Sequence, residues 1–193
     1  APLQSARSAA TVGPATLSTA EVLDAAQEVQ DRVAQAGAPQ PAGLAINQAL
    51  ISTWIEEQLT AALAQQARVS VSNAEVENKL REVAQRNGLS VEKFAEAYAV
   101  QEGTWVLPSA LRDYTKTFLL QQKISRTLGA KGQSAGQAFA TALTRESQKL
   151  GVTVSPRYGA WDAQTLQLVA APDLVSVPAQ PALPGQGAGP ADR

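Results

Sequence analysis

The chain has 193 residues, of which 45% are hydrophobic and 5% aromatic, and its formal net charge is −1. This balance argues against binding to nucleic acid or to an anionic membrane surface, because both partners select concentrated positive charge. The chain contains no Cys and no His, which excludes disulfides, thiolate chemistry, the usual general base and the commonest zinc ligand.

The N-terminal segment predicts a strand followed by a helix. Ala10 to Leu17 can form a short edge strand with a turn at Gly13-Pro14, where the missing N–H of Pro14 is tolerated. Residues 17–22 (L-S-T-A-E-V) then combine a capping box with a hydrophobic staple. A first helix should begin there and run to about Ala36, where Gly37 and a Pro-containing segment stop it.

The strongest helical pattern lies between Ala45 and Arg68. Its large apolar residues recur at spacings of three and four, as in the buried stripe of an amphipathic helix. They are Ile46, Leu50, Ile51, Trp54, Ile55, Leu59 and Leu63. The segment therefore predicts a long second helix.

Two further helix starts follow this segment. Residues 71–76 (V-S-N-A-E-V) repeat the capping box and the staple. Residues 89–94 (L-S-V-E-K-F) keep the staple and a Ser N-cap, although a Lys stands at the carboxylate position. These signals predict a third helix over residues 72–87 and a fourth over residues 90–101.

The loop Gln101–Pro108 separates these helices from two more. A fifth helix is predicted from Ser109 to Leu128, because large apolar residues again recur at helical spacing. The Gly-rich link Gly129–Gly132 leads to a sixth helix over about Ser134 to Leu150.

Short strands are predicted near the C-terminus, at Val152–Val154 and within Trp161–Val169. They can pair with the N-terminal strand and bring the two ends of the domain together. The expected fold is mainly α, a bundle of about six helices with a small β element formed by the terminal segments. This domain should span residues 9–170, between a flexible leader at 1–8 and a disordered Pro-, Ala- and Gly-rich tail at 171–193.

No motif points to catalysis or to a cofactor. Gly129–Gly132 lacks the preceding strand and the spacing of a phosphate-binding loop. No Ser or Lys has the predicted buried setting that Ser-Lys chemistry requires. The carboxylates of Glu56 and Glu57 are interpreted as solvated charge on a helix surface. We therefore expect no enzyme activity, no cofactor and no metal site.

The aromatic residues are the candidates for a binding surface. Most of them fall on apolar stripes and are predicted to be core, namely Trp54, Phe94, Phe118 and Phe139, while Tyr158 and Trp161 should cover the terminal strands. Trp105 lies in a loop, where it either plugs the end of the helical core, the favoured alternative, or presents an exposed apolar ledge with Val106 and Leu107. Tyr98 and Tyr114 could line the same ledge. These five are the predicted peptide-binding residues, because an exposed apolar patch marks a partner site.

The order of these signals resembles the N-terminal domain of SurA-type periplasmic chaperones. Residues 46–98 show a long helix with a paired acidic/Gln turn, then a V-x-V-S-x-x-E/Q helix start, then an N-G/N-hydrophobic-S/T helix start. Residues 111–124 resemble the L-R-x-Y/Q-x-x-x-x-L-L-x-Q-K-I helix of that family, and residues 9–22 resemble its opening strand and first helix. The resemblance covers about residues 9–128.

The resemblance implies an ATP-independent chaperone that binds unfolded or secreted client polypeptides on an apolar cradle between the first helices and the fifth. A non-enzymatic adaptor that docks one folded envelope partner is the alternative. Prolyl isomerase activity is not expected, because residues 129–170 are too few for a parvulin domain and His, usual in parvulin sites, is absent.

The resemblance also bears on location. Residues 156–162 (P-R-Y-G-A-W-D) resemble the ending of reduced, often lipid-anchored relatives that keep only the chaperone module. A lipobox Cys would then precede Ala1 and tether the protein to the membrane, and the absence of Met fits a processed product. The expected location is the periplasm or the cell envelope. A homodimer that exchanges the first or sixth helix about Gly129–Gly132 is left open.

Overall fold

The computed structural model describes residues 7–129 and 133–170 of the chain. The predicted tail at 171–193 and most of the predicted leader and of the Gly-rich link lie outside these residues. Within the described ranges the chain forms six α-helices and five short strands. The helices are α1 Thr19–Gln35, α2 Ala45–Ala67, α3 Asn73–Arg86, α4 Val91–Ala99, α5 Leu111–Thr127 and α6 Gln133–Leu150. The strands are β1 Ser8–Val12, β2 Ala15–Ser18, β3 Val152–Val154, β4 Ala160–Asp162 and β5 Gln167–Val169.

The predicted mainly α fold of about six helices with a terminal β element is confirmed. Each predicted helix is present, with its ends within about two residues of the sequence-based bounds. None of the described helices combines the length and the apolar composition that are needed to span a membrane.

The predicted N-caps explain why three of the helices begin where they do. The Ser18 hydroxyl accepts a hydrogen bond from the Glu21 N–H at 3.2 Å, while the Ser18 N–H donates to the Glu21 carboxylate at 2.8 Å. Ser72 and Glu75 form the same reciprocal pair at the start of α3. Ser90 caps α4 by accepting from the Lys93 N–H at 3.2 Å, without a carboxylate in return. These bonds satisfy backbone donors that have no partner inside the helix.

The terminal segments pair as predicted, but with more strands. Strand β1 lies at the centre of an antiparallel sheet of order β2-β1-β3, in which Ala10 is opposite Val154. The predicted single edge strand is therefore a hairpin of β1 and β2, with Pro14 in its turn. The segment Trp161–Val169 is likewise a hairpin, β4 with β5. A Cβ atom at Gly159 would lie 2.5 Å from the Val169 carbonyl oxygen, so this close approach requires glycine.

Helix α2 forms the centre of the hydrophobic core. Ile51, Ile55 and Leu59 are at most 1% exposed, and α2 packs against α1, α5, α6 and the β1 strand. Three groups of buried apolar side chains adjoin it: one below the sheet, one among α3, α4 and α5, and one between α1 and the loop that follows α4. Surface depressions lie between α2 and α1 and between α2 and α5.

Candidate functional site

The loop after α4 is buried rather than exposed. Trp105, Val106 and Leu107 are 5%, 4% and 6% exposed. The Trp105 side chain packs in the same cluster as Val29 and Val33 of α1. The structure therefore has the plugging arrangement, and Trp105 presents no exposed ledge. Trp105 also has a φ of 45°, a left-handed conformation that is uncommon for a bulky residue and that the buried indole must hold in place.

A first groove, which we call the α1–α2 groove, runs between these two helices and the buried loop. Its volume is about 270 Å³. Most of the groove wall is apolar, and two carboxylates, those of Glu21 and Glu57, also line it. The lining residues are Leu17, Glu21, Val22, Ala25, Leu50, Thr53, Trp54, Glu57, Thr104, Trp105, Val106, Leu107, Ser109 and Ala110. The three buried loop residues thus form part of a groove wall even though they are nearly inaccessible.

The carboxylate of Glu57 differs from the solvated charge that we predicted from sequence. Glu57 is half-buried, and burial, followed by repulsion from Asp113 and Glu56, raises its pKa to about 7. Glu56 is exposed and accepts a hydrogen bond from the Gln121 side-chain amide at 2.6 Å. Within the described residues, neither a hydrogen-bond donor nor a cation contacts the Glu57 carboxylate.

A second groove, the α3–α5 groove, lies among α3, α4 and α5 and has a volume of about 470 Å³. Aromatic rings form one side of it: Phe94 stacks on Tyr98 with ring centroids 5.3 Å apart, and Tyr98 lies 5.9 Å from Tyr114. Burial and a hydrogen bond with Tyr98 raise the pKa of Tyr114, so this phenol stays neutral. The other lining residues are Lys79, Leu80, Val83, Arg86, Asn87, Gln101, Leu111, Thr115 and Phe118.

Phe118 corrects a prediction, because it is 41% exposed and not a core residue. Residues 118–120 (F-L-L) are consecutive on α5, so their side chains span about 200° of the helix circumference and cannot all face the core. Leu120 is buried, Leu119 is half-buried, and Phe118 is left at the rim of the α3–α5 groove, with the Lys79 ammonium 6.0 Å from its ring centre. The run of three large apolar residues is the sequence signal from which the exposure of one of them could have been predicted.

The two grooves are connected. A small depression between α2 and α5 shares Thr53 and Glu57 with the α1–α2 groove, and shares Tyr114 and Phe118 with the α3–α5 groove. We call the three depressions together the track. The structure thus divides the five predicted peptide-binding residues between its two ends: Trp105, Val106 and Leu107 at one, Tyr98 and Tyr114 at the other. The sequence reasoning missed Glu57 and Phe118, which belong to the connection.

Replacing Glu57 by Gln is expected to raise the free energy of unfolding at pH 8 by about 1 to 2 kcal/mol, allowing for solvent screening at this half-buried site. The folded chain raises the pKa of Glu57 from 4.5 to about 7. The folded state therefore binds more protons than the unfolded state between these values, and this group costs stability as the pH rises through that window. The gain should be absent near pH 4.5. Urea unfolding at both pH values measures it, and an equal gain at the two would contradict the argument.

A comparison with protein families matches the part of the chain that contains the track. The chain matches the family model described as SurA N-terminal domain over residues 6–124. Every residue that lines the track lies inside this range. No curated protein and no solved structure matches the chain.

Proposed function

The chain belongs to the SurA N-terminal domain family, and from this we propose that it is an ATP-independent chaperone that holds unfolded or extended client polypeptides on the track. The family is associated with chaperone function and is periplasmic. We accordingly propose an extracytoplasmic location. A lipid anchor upstream of residue 1 and a homodimer stay predictions.

The observation that carries the proposal is a row of two mainly apolar grooves and a small depression between them, which shares lining residues with both grooves and includes the exposed Phe118. An elongated surface of this kind suits an extended chain, whose alternate side chains can enter successive depressions. Residues Trp105 to Leu107 would act as a rigid wall, while Tyr98, Tyr114 and Phe118 would contact the client directly. Tyrosine suits this role because it combines an apolar ring with a polar tip.

Client binding on such a surface should be weak and reversible. Each Å² of apolar surface removed from water contributes about 25 cal/mol, but ordering a flexible client costs a comparable free energy. The sequence contains no recognisable nucleotide-binding loop, so release would follow from rapid exchange of weak contacts.

The test is the aggregation of a chemically denatured outer-membrane protein after dilution, followed by light scattering with and without this chain. A several-fold molar excess of the chain should suppress the aggregation. An unchanged rate and extent of aggregation at that excess would contradict the proposal. Tight binding of one folded envelope protein, with no binding of unrelated peptides, would favour the adaptor alternative.

A further inference from the structure

The charged side chains that line the α1–α2 groove and the connecting depression are all acidic. They are Glu21, Glu56 and Glu57, and among the described residues no Lys or Arg lines the groove or the depression. Helix α2 itself contains no Lys or Arg. The α3–α5 groove is different, because Lys79 and Arg86 line it.

The unpaired state of Glu57 contrasts with that of six other glutamates of the helices. Described ion pairs join glutamates of α1, α3, α4 and α6 to cations, for example Glu75 to Lys123 at 2.5 Å and Glu77 to Arg112 at 2.5 Å. Glu57 has neither such a pair nor a hydrogen bond within the described residues. A half-buried carboxylate without a partner carries a desolvation cost that a matching cation would offset.

The groups that face Glu57 would reinforce the attraction of a cation. Helix α5 contributes Asp113, and α2 contributes Glu56. Helix α1 contributes Glu21 to the same groove. The Ser18 hydroxyl and N–H lower the pKa of Glu21, so its charge persists when Glu57 is protonated. The loop after α4 places no charged side chain in the lining.

We propose that the α1–α2 groove is a subsite for a Lys or Arg side chain of the client, with the cation against Glu57 and the neighbouring client residues against the apolar walls. This inference rests on the proposed chaperone function and adds a client class to it, namely apolar segments that contain a basic residue. The aliphatic stem of Lys or Arg can lie along Trp54 and Leu50 while its charged end reaches the carboxylate.

A protein side chain fits this groove better than a metal ion does. Among residues 7–129 and 133–170, no three Asp or Glu side chains are arranged to hold a metal. The walls of the groove are mainly apolar, whereas the hard cations that carboxylates bind need several oxygen ligands. A basic side chain matches both its single unpaired carboxylate and its apolar surroundings.

Binding of a cation should be linked to loss of a proton from Glu57. A nearby positive charge favours the ionised carboxylate, so the pKa falls on binding and a proton is released. The affinity for a cationic client should therefore rise as the pH rises through about 7, the pKa of Glu57 in the free chain. Between pH 6 and pH 8 the ionised fraction changes by up to about tenfold, which sets the largest expected change in affinity.

The experiment measures fluorescence anisotropy of three labelled nonapeptides of Leu, Val and Ser residues that differ at the central position: Lys, Gln or Glu. At pH 8 the Lys peptide should bind roughly tenfold more tightly than the Gln peptide, and the Glu peptide should bind most weakly. At pH 6 the preference for Lys should shrink to about twofold or less. In the Glu57→Gln variant, the affinities for the Lys peptide and the Gln peptide should be nearly equal at both pH values.

Two further variants make the outcome specific to this carboxylate. Glu102→Gln removes an exposed charge that lines no part of the track, and it should keep both the preference and its pH dependence. Glu57→Asp retains the charge and should keep the pH dependence. Equal binding of the three peptides, or a preference that survives in Glu57→Gln, would overturn the subsite while leaving the chaperone proposal intact. Failure of all three peptides to bind would contradict both.

Discussion

Replacing Trp105 by Ala is expected to lower the free energy of unfolding by about 3 to 5 kcal/mol, the usual cost of removing a large aromatic side chain from a core. Trp105 is 5% exposed, and its indole fills the cluster between α1 and the loop after α4. The change would also remove part of the wall of the α1–α2 groove. Urea unfolding followed by circular dichroism measures the loss. A loss below about 1 kcal/mol would show that the indole is not a structural plug.

The backbone at this position supplies a matched comparison. Since Trp105 has a φ of 45°, an Ala there keeps a Cβ in the left-handed region, which costs about 1 to 2 kcal/mol. Glycine adopts that region without this penalty. Trp105→Gly should therefore be as stable as Trp105→Ala, or up to about 1 kcal/mol more stable, in reversal of the usual order. An Ala variant that is clearly the more stable of the two would contradict the left-handed conformation.

Replacing Phe118 by Ala is expected to weaken client binding by about tenfold or more with little change in stability. Aromatic side chains at the centre of a binding surface often contribute 2 kcal/mol or more, or roughly thirtyfold in affinity. Phe118 lies where the connecting depression meets the α3–α5 groove, and at 41% exposure it contributes little to the core. Peptide anisotropy and aggregation suppression measure the effect.

Leu23→Ala is the control for this change. Leu23 is 51% exposed and lines none of the three depressions, so its removal deletes a comparable amount of exposed apolar surface elsewhere. It should bind clients as the unaltered chain does. If Phe118→Ala and Leu23→Ala bind equally well, then the track is not the client surface.

The helices could be predicted closely because their signals are local. A Ser N-cap and its Glu partner lie three residues apart, so the pairs Ser18–Glu21 and Ser72–Glu75 are visible in the sequence and present in the structure. The periodic apolar residues of α2 likewise identify its buried side, of which Ile51, Ile55 and Leu59 are at most 1% exposed. The order of these elements also identified the family, which the match over residues 6–124 confirms.

The candidate site was predicted less well, because exposure in loops and at the edges of a helix face depends on distant segments. Nothing near Trp105 in the sequence shows that α1 would cover its indole, although plugging was the favoured alternative. Phe118 is one of three consecutive apolar residues on α5, which cannot all face the core, but the sequence does not show which of them is left outside. The folded chain buries Leu120 and leaves Phe118 41% exposed.

Local sequence thus established the six helices, their caps and the family, since each depends on residues a few positions apart or on their order. The assembled fold established which apolar side chains remain accessible, how the two grooves join, and that Glu57 is half-buried beside Asp113 of another helix. The physical reason is that accessibility and pKa depend on every group that surrounds a side chain in space. Those groups come from helices that are far apart in the chain, as with Glu56 and Gln121, which are separated by 65 positions.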